Sequence, residues 1–216
     1  MIGICVPTRG MVFSQTIEAI ERERKQYDTK LYISHNQPIP NGHNTLCEQA
    51  LGDGCEYILF VEEDVVIPAR AIEKLLAVQA DIACIDYGVS GWSCITKDQD
   101  AEILWCGLGC TLIHRRVFES LKGPYFRADM VLDLPDFRWR QLPEEYVKTR
   151  NYGSLDIWFF LHAREKGFKI VQVEGECDHL QLIELGKRES NYGLHEITKK
   201  PEIKNHQVTK MKGGDK

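Results

Sequence analysis

Over its first 90 residues the chain alternates short apolar runs with segments of helical spacing. Ile2 to Val6 is an apolar run broken by Pro7, Thr8, Arg9 and Gly10, and reads as a strand. From Phe13 to Lys25 the apolar residues Phe13, Ile17 and Ile20 recur at helical intervals among charges. Lys30 to Ser34 predicts a second strand, and His35 to Gly42 (HNQPIPNG) a loop. A short helix is expected over about His43 to Leu51, with Asn41 or Asn44 as its cap. The turn signal Gly52-Asp53-Gly54 then leads into YILFV, a buried strand that stops at Glu62, Glu63 and Asp64. Pro68 suits the first turn of a helix carrying Ile72, Leu75 and Leu76, and Ala80 to Ile85 predicts another strand. This β-α-β-α-β-α-β order predicts an α/β fold with a largely parallel sheet wrapped by helices.

The rhythm changes in the second half. Asp86 to Asp100 reads as a loop with Gly88, Gly91 and Trp92. CGLGCTLIHRR, within Ile103 to Arg116, places two glycines just ahead of an apolar strand, and Val117 to Leu121 is a short helical piece. Phe126 to Tyr152 mixes acids, arginines, prolines and aromatics such as Trp139, the composition of a long surface loop. Ser154 to Lys166 predicts a helix stopped by Gly167, and Phe168 to Val173 a last strand. Residues 1–183 read as one domain, and 184–216, rich in lysine and poor in periodicity, as a partly ordered tail.

Composition narrows the function classes. The 216 residues are 43% hydrophobic and 27% charged, as in an ordinary globular protein. Lysine and arginine number 27 against 32 acids, a net charge of −5 that gives no general nucleic-acid-binding surface. No apolar run approaches the roughly 20 residues that span a bilayer, and the amino terminus lacks the pattern of a signal peptide. A cytoplasmic location is expected. The eight cysteines form no CxxC pair, and several lie inside apolar runs, so buried reduced thiols are expected.

The candidate chemistry gathers at strand ends. Acids at the carboxyl end of a buried strand lie at the rim where open α/β sheets bind ligands. Three adjacent carboxylates repel one another unless a cation sits among them. Glu62, Glu63 and Asp64 offer hard oxygen ligands that suit Mn²⁺ or Mg²⁺, and Asp178-His179, just after the last strand, adds an imidazole. Pro7, Thr8 and Arg9 end the first strand at the same rim. Asp156, at the start of a helix, is a candidate base, although an acid there is also stabilised by the helix dipole alone. Such a set would neutralise a leaving diphosphate and activate an acceptor hydroxyl. Two other readings are open. Cys106, Cys110, Cys177 and His179 have the composition of a Cys₃His zinc site in an interaction module. A nucleotide-sugar-forming nucleotidyltransferase is the other, although VPTRGMVF carries only one Arg and one Gly where a basic phosphate loop is expected.

The order and spacing of ICVPTRG, PNGHNTLCEQAL, LFVEEDVVIP, WCGLGCTLIHRRVFE, LDIWFFLHAREKGFKIV and CDHL carry a resemblance. Over about residues 2 to 180 the chain resembles the GT-A class of glycosyltransferases, in particular small family 2-like enzymes. The resemblance implies a single GT-A-like domain and a nucleoside-diphosphate sugar as donor. Asp64 would be the metal-binding acid of a DxD-type motif, Glu62 its first position near ribose or metal, and His179 a second metal ligand. Thr8, Arg9 and Asn44 would line the nucleotide, Gly107 and Gly109 would let backbone approach the donor sugar, and Asp156 would be the base of an inverting reaction. The loop from about Asp129 to Tyr152 would close over the donor. The motif here opens with Glu62 instead of Asp, and Leu155 stands where such enzymes commonly have Glu, so retaining chemistry stays open. The acceptor class (glycan, lipid, protein, small molecule or modified nucleic acid) is not specified.

Overall fold

The fold is taken from a computed structural model, which describes residues 1–35, 37, 40–89, 92–133, 138–141 and 155–181. In chain order these form β1 (Ile2–Val6), α1 (Ser14–Arg24), β2 (Thr29–Ile33), α2 (Asn41–Gly52), β3 (Tyr57–Val61), β4 (Val65–Val66) and α3 (Ala71–Ala77). There follow β5 (Ile82–Val89), β6 (Trp92–Ser93), β7 (Thr96–Lys97), β8 (Ile103–Trp105), β9 (Cys110–His114) and α4 (Arg115–Ser120). The last described elements are β10 (Met130–Asp133), β11 (Arg138–Gln141), α5 (Leu155–Glu165) and β12 (Ile170–His179).

The main sheet has the order β2-β1-β3-β9-β5-β12-β4, with β6 added to β5. β1 pairs in parallel with β2 and β3, and β12 with β5, while β9 is antiparallel to both β3 and β5. Five strands therefore run one way, and β9 is inserted among them reversed. This is the single α/β domain with a mostly parallel, helix-flanked sheet that the alternating pattern and the GT-A resemblance imply.

Both faces of the sheet are buried, which is why β1 and β3 read as unbroken apolar runs. The pleat sends alternate residues to opposite faces. Ile58 and Phe60 join the cluster made with α2, α4 and α5, including Leu46, Phe118, Phe126, Phe159 and Phe160. Leu59 and Val61 join the cluster under α1 and α3, with Ile20, Ile72 and Leu75. Each such side chain contributes about 1.5–3 kcal/mol by leaving water. A buried acid ties the second layer together: Glu23 of α1 accepts the Arg70 and Ile72 backbone N–H groups, at 3.0 and 3.2 Å, and so caps α3 from a neighbouring helix.

Several expectations are corrected. α3 begins at Ala71, so Pro68 precedes the helix and lies outside its first turn. The cap position of α2 is Pro40, and neither Asn41 nor Asn44 caps it by side chain. β5 continues through Val89 where a loop is expected from Asp86, because β12 and β6 supply it with partners. β12 likewise runs on to His179, past a register shift between Val173 and Glu176 at Gly175, whose φ is 146°. Within the expected surface loop, β10 and β11 form an antiparallel ribbon whose Trp139 packs edge-on against Trp158 of α5, 4.8 Å between centroids. Residues 134–137 and 142–152 of that stretch, and the tail, 184–216, lie outside the described residues. Among the described residues no helix is long and apolar enough to cross a membrane.

Candidate active site

The carboxyl ends of β1, β3, β5 and β12 share one rim of the sheet. Reversed β9 begins at that rim, since Cys110 pairs with Val61, the last residue of β3. After Val61 the chain turns within four residues, closed by the Val65 N–H donating to the Glu62 carbonyl, 3.2 Å. β4 then pairs with the end of β12, His179 opposite Val65, and the Leu180 N–H donates to the Asp64 carbonyl at 2.7 Å. This ladder places the Asp64 and His179 side chains together, with His179 Nε2 3.4 Å from Asp64 Oδ2. On its other side the imidazole Nδ1 lies 3.1 Å from the Gly88 carbonyl of β5, a contact that only a donating N–H makes favourable. Nδ1 thus carries one proton, and Nε2 faces Asp64, which holds the second proton there when the ring is charged. The Asp64 carboxylate raises the His179 pKa above its ordinary value, with the Gly88 carbonyl adding to it and burial opposing.

Glu62 and Glu63 diverge. Glu63 turns to Arg9, accepting its backbone N–H at 2.8 Å and its Nε at 2.6 Å, while the Glu63 carbonyl takes the Phe13 N–H at 3.0 Å. The one arginine of the first loop is therefore neutralised and pins that loop to the end of β3. This pairing removes Glu63 from the expected mutual repulsion of three carboxylates and leaves Glu62 and Asp64 facing one another's charge. Glu62 is recessed into the site. Burial, then Asp64, then Asp156 push its pKa from 4.5 to about 7, against the pull of the Tyr87 hydroxyl and His179. Asp156, in the first turn of α5, accepts its neighbour Ile157 N–H at 2.9 Å. Burial lifts its pKa to about 6, against the pull of that N–H.

The remaining expected site residues are placed as follows. Pro7 and Thr8 are buried at the end of β1; the Thr8 N–H donates to Ser34 Oγ, and its hydroxyl donates to the Met11 carbonyl and accepts the Gly10 N–H. Asn44 is occupied by a different task. Its amide donates to the Pro40 and Phe126 carbonyls and accepts the Tyr125 and Phe126 N–H groups, tethering the 125–126 backbone to α2. Gly107 and Gly109 do face a close approach, but of a side chain: a Cβ on Gly107 would lie 2.1 Å from the Tyr87 hydroxyl, and one on Gly109 2.6 Å from its ring. Tyr87 is the residue that sequence reasoning missed. Its hydroxyl donates to Glu62 Oε2 at 3.1 Å and accepts the Gly109 N–H at 3.3 Å, and its ring meets that of His179 edge-on at 5.6 Å. The only sequence signal for it is an aromatic between Asp86 and Gly88 in a chain that also carries Gly-x-Gly at 107–109.

The four-ligand zinc site is corrected. Cys106 lies in the core on one face of the sheet, while Cys110 and Cys177 lie on the other. All eight thiols are free, seven of them buried. Among the described residues no three of His, Cys, Asp and Glu are grouped so as to hold a metal by themselves. Asp64 and His179 nevertheless fit as a pair: a hard oxygen and an imidazole nitrogen converge, and the Gly88 carbonyl fixes the tautomer that leaves Nε2 available. Magnesium-type ions are commonly held by one or two protein groups, with phosphate oxygens and water completing the shell.

No protein-family model and no curated protein matches the chain. Solved structures similar to it share little sequence. One is A197 from STIV, at 18% identity and a TM-score of 0.46, over 66% of this chain and 94% of that one. Another is described as a putative nucleotide-diphospho-sugar transferase from Desulfovibrio desulfuricans G20, at 10% identity and a TM-score of 0.44, over 83% of this chain and 81% of that one. A third is TarS from S. aureus, at 14% identity and a TM-score of 0.45, over 82% of this chain and 60% of that one. The chemistry of the site rests on its own residues.

Proposed function

We propose that the chain is a glycosyltransferase that moves a sugar from a nucleoside-diphosphate sugar to an acceptor hydroxyl. One observation carries this reading: Asp64 and His179 converge at the carboxyl rim of the sheet, beside the recessed acids Glu62 and Asp156. Asp64 and His179 would hold Mn²⁺ or Mg²⁺, and such an ion, when bound, neutralises the charge on a leaving diphosphate. Glu62 contacts the donor beside that pair. Asp156 takes the proton of the acceptor hydroxyl, giving an inverting reaction. Its pKa of about 6 leaves it ionised at neutral pH yet more basic than an ordinary aspartate. The reversed β9 supports the site by bringing the 107–109 backbone to the rim, and the Arg9–Glu63 pair holds the first loop beside it.

The test is release of nucleoside diphosphate from a panel of nucleotide-sugars in the presence of Mn²⁺ or Mg²⁺. The parent should turn over one donor in a metal-dependent way. Asp64→Asn should lose metal-dependent turnover while keeping its fold, and Asp156→Asn should keep donor binding and lose transfer. Turnover in Asp64→Asn equal to that of the parent overturns the metal assignment. Equal transfer in Asp156→Asn removes Asp156 as base.

A further inference from the structure

Tyr87 stands at a point where three separate parts of the rim meet. It follows Asp86 near the end of β5, and its side chain crosses to both neighbouring strands. Toward β3 its hydroxyl donates to Glu62 Oε2 at 3.1 Å; toward the start of β9 the same oxygen accepts the Gly109 N–H at 3.3 Å. Toward β12 its ring packs edge-on to His179. The side chain is 4% exposed, so neither hydrogen bond competes with bulk water. The hydroxyl has one proton to give, and the Gly109 N–H fixes the oxygen so that this proton is directed at Glu62. The fit is too tight for any other residue at 107 or 109. A Cβ at Gly107 would meet the hydroxyl at 2.1 Å, and one at Gly109 would meet the ring at 2.6 Å and Val65 Cγ2 at 2.9 Å. Real Cβ atoms do not approach so closely, so the ring would have to leave its seat.

We infer that Tyr87 is a positioning residue for donor binding: it fixes the Glu62 carboxylate from behind, and Gly107 and Gly109 are glycines in order to admit its ring. This rests on the reading of Glu62 as a donor contact. Tyr87 itself is too buried to touch the donor, so its influence passes through Glu62. Losing the bond to a charged acceptor leaves Glu62 free to swing among rotamers, and only a fraction of the protein then presents it correctly.

The experiment is a double-mutant cycle of Tyr87→Phe and Glu62→Ala, read as kcat and donor KM and, separately, as thermal unfolding of the unliganded protein. Tyr87→Phe keeps the ring and is expected to fold. It should raise donor KM about tenfold, the worth of a hydrogen bond to a charged group, with kcat within about twofold of the parent. In the Glu62→Ala background the same change should alter KM by no more than about twofold. Gly107→Ala removes no functional group and should raise KM as Tyr87→Phe does, because its Cβ displaces the Tyr87 hydroxyl. A merely structural role lowers the active fraction and hence apparent kcat, and does not give this split. The inference is overturned if KM is unchanged in Tyr87→Phe, or if the tenfold rise appears equally without Glu62. If the parent turns over no nucleotide-sugar, the functional reading fails and takes the inference with it. That outcome is told apart by the unfolding cycle, which would still show Tyr87 and Glu62 coupled.

Discussion

Neutralising Glu62 without changing its shape should make the unliganded protein more stable. The carboxyl is recessed, and burial with Asp64 and Asp156 raises its pKa from 4.5 to about 7. Between those values the folded chain keeps a proton that the unfolded chain has released. Stability therefore falls as pH rises through that window, by about 1.4 kcal/mol per unit. At pH 8 the accumulated cost is about 3 kcal/mol. Glu62→Gln removes the charge and keeps an oxygen for the Tyr87 hydroxyl, though a bond to a neutral amide is weaker by about 1 kcal/mol. The net expectation is a gain of about 2 kcal/mol at pH 8, or roughly 4–8 °C in melting temperature for a chain of this size. At pH 4 both folded and unfolded carboxyls are mostly protonated, and the gain should vanish. Urea unfolding of parent and variant at pH 4, 6 and 8 measures it. A variant no more stable than the parent at pH 8, or equally more stable at all three pH values, would refute the reasoning that Glu62 is strained by its own charge.

Asp156, with a pKa of about 6, must be ionised to act as base, so log kcat/KM should fall below pH 6 with a slope near one and keep that limb in Glu62→Gln; a flat profile from pH 5 to 8 rules the assignment out. Glu23→Ala leaves the Arg70 and Ile72 N–H groups without their cap and should cost about 2–3 kcal/mol in urea unfolding, with Glu23→Gln in between; a loss under about 0.5 kcal/mol would show that water replaces the carboxylate.

What could be read from the sequence was local. The runs IGICV and YILFV, buried on both faces, announce parallel strands, and the acids that end YILFV mark the rim. Asp64 and His179 stand out by residue type, and the β4–β12 ladder brings them together. The misses were tertiary. The apolar run of β12 ends at Val173, yet the strand gains partners in β5 and β4 that no local pattern records, and a bulge at Gly175 hides its alternation. Gly107 and Gly109 were legible as a close approach, but the approaching group is Tyr87, some 20 residues away in sequence and adjacent only because β9 is inserted in reverse beside β5. Asn44 carries the right chemistry for a nucleotide contact; its amide is spent on the backbone at 125–126, a segment whose position depends on the packing of Phe126 against Phe60 and Phe159. Glu63 sits between two site residues and points elsewhere, because successive residues of a turn leave it in different directions and Arg9 is within reach.

We propose that this rim binds a nucleoside-diphosphate sugar through a metal held by Asp64 and His179. The most direct test is thermal unfolding with UDP, GDP, CDP, ADP and their common sugars, each with Mn²⁺ and with chelator. A ligand at about 100 times its dissociation constant stabilises the native state by about 2.7 kcal/mol, which corresponds to roughly 5–10 °C here. Such a rise is expected for one nucleotide, only when metal is present, and none in Asp64→Asn. No rise with any nucleotide, or a rise that survives chelation and the loss of Asp64, would contradict it.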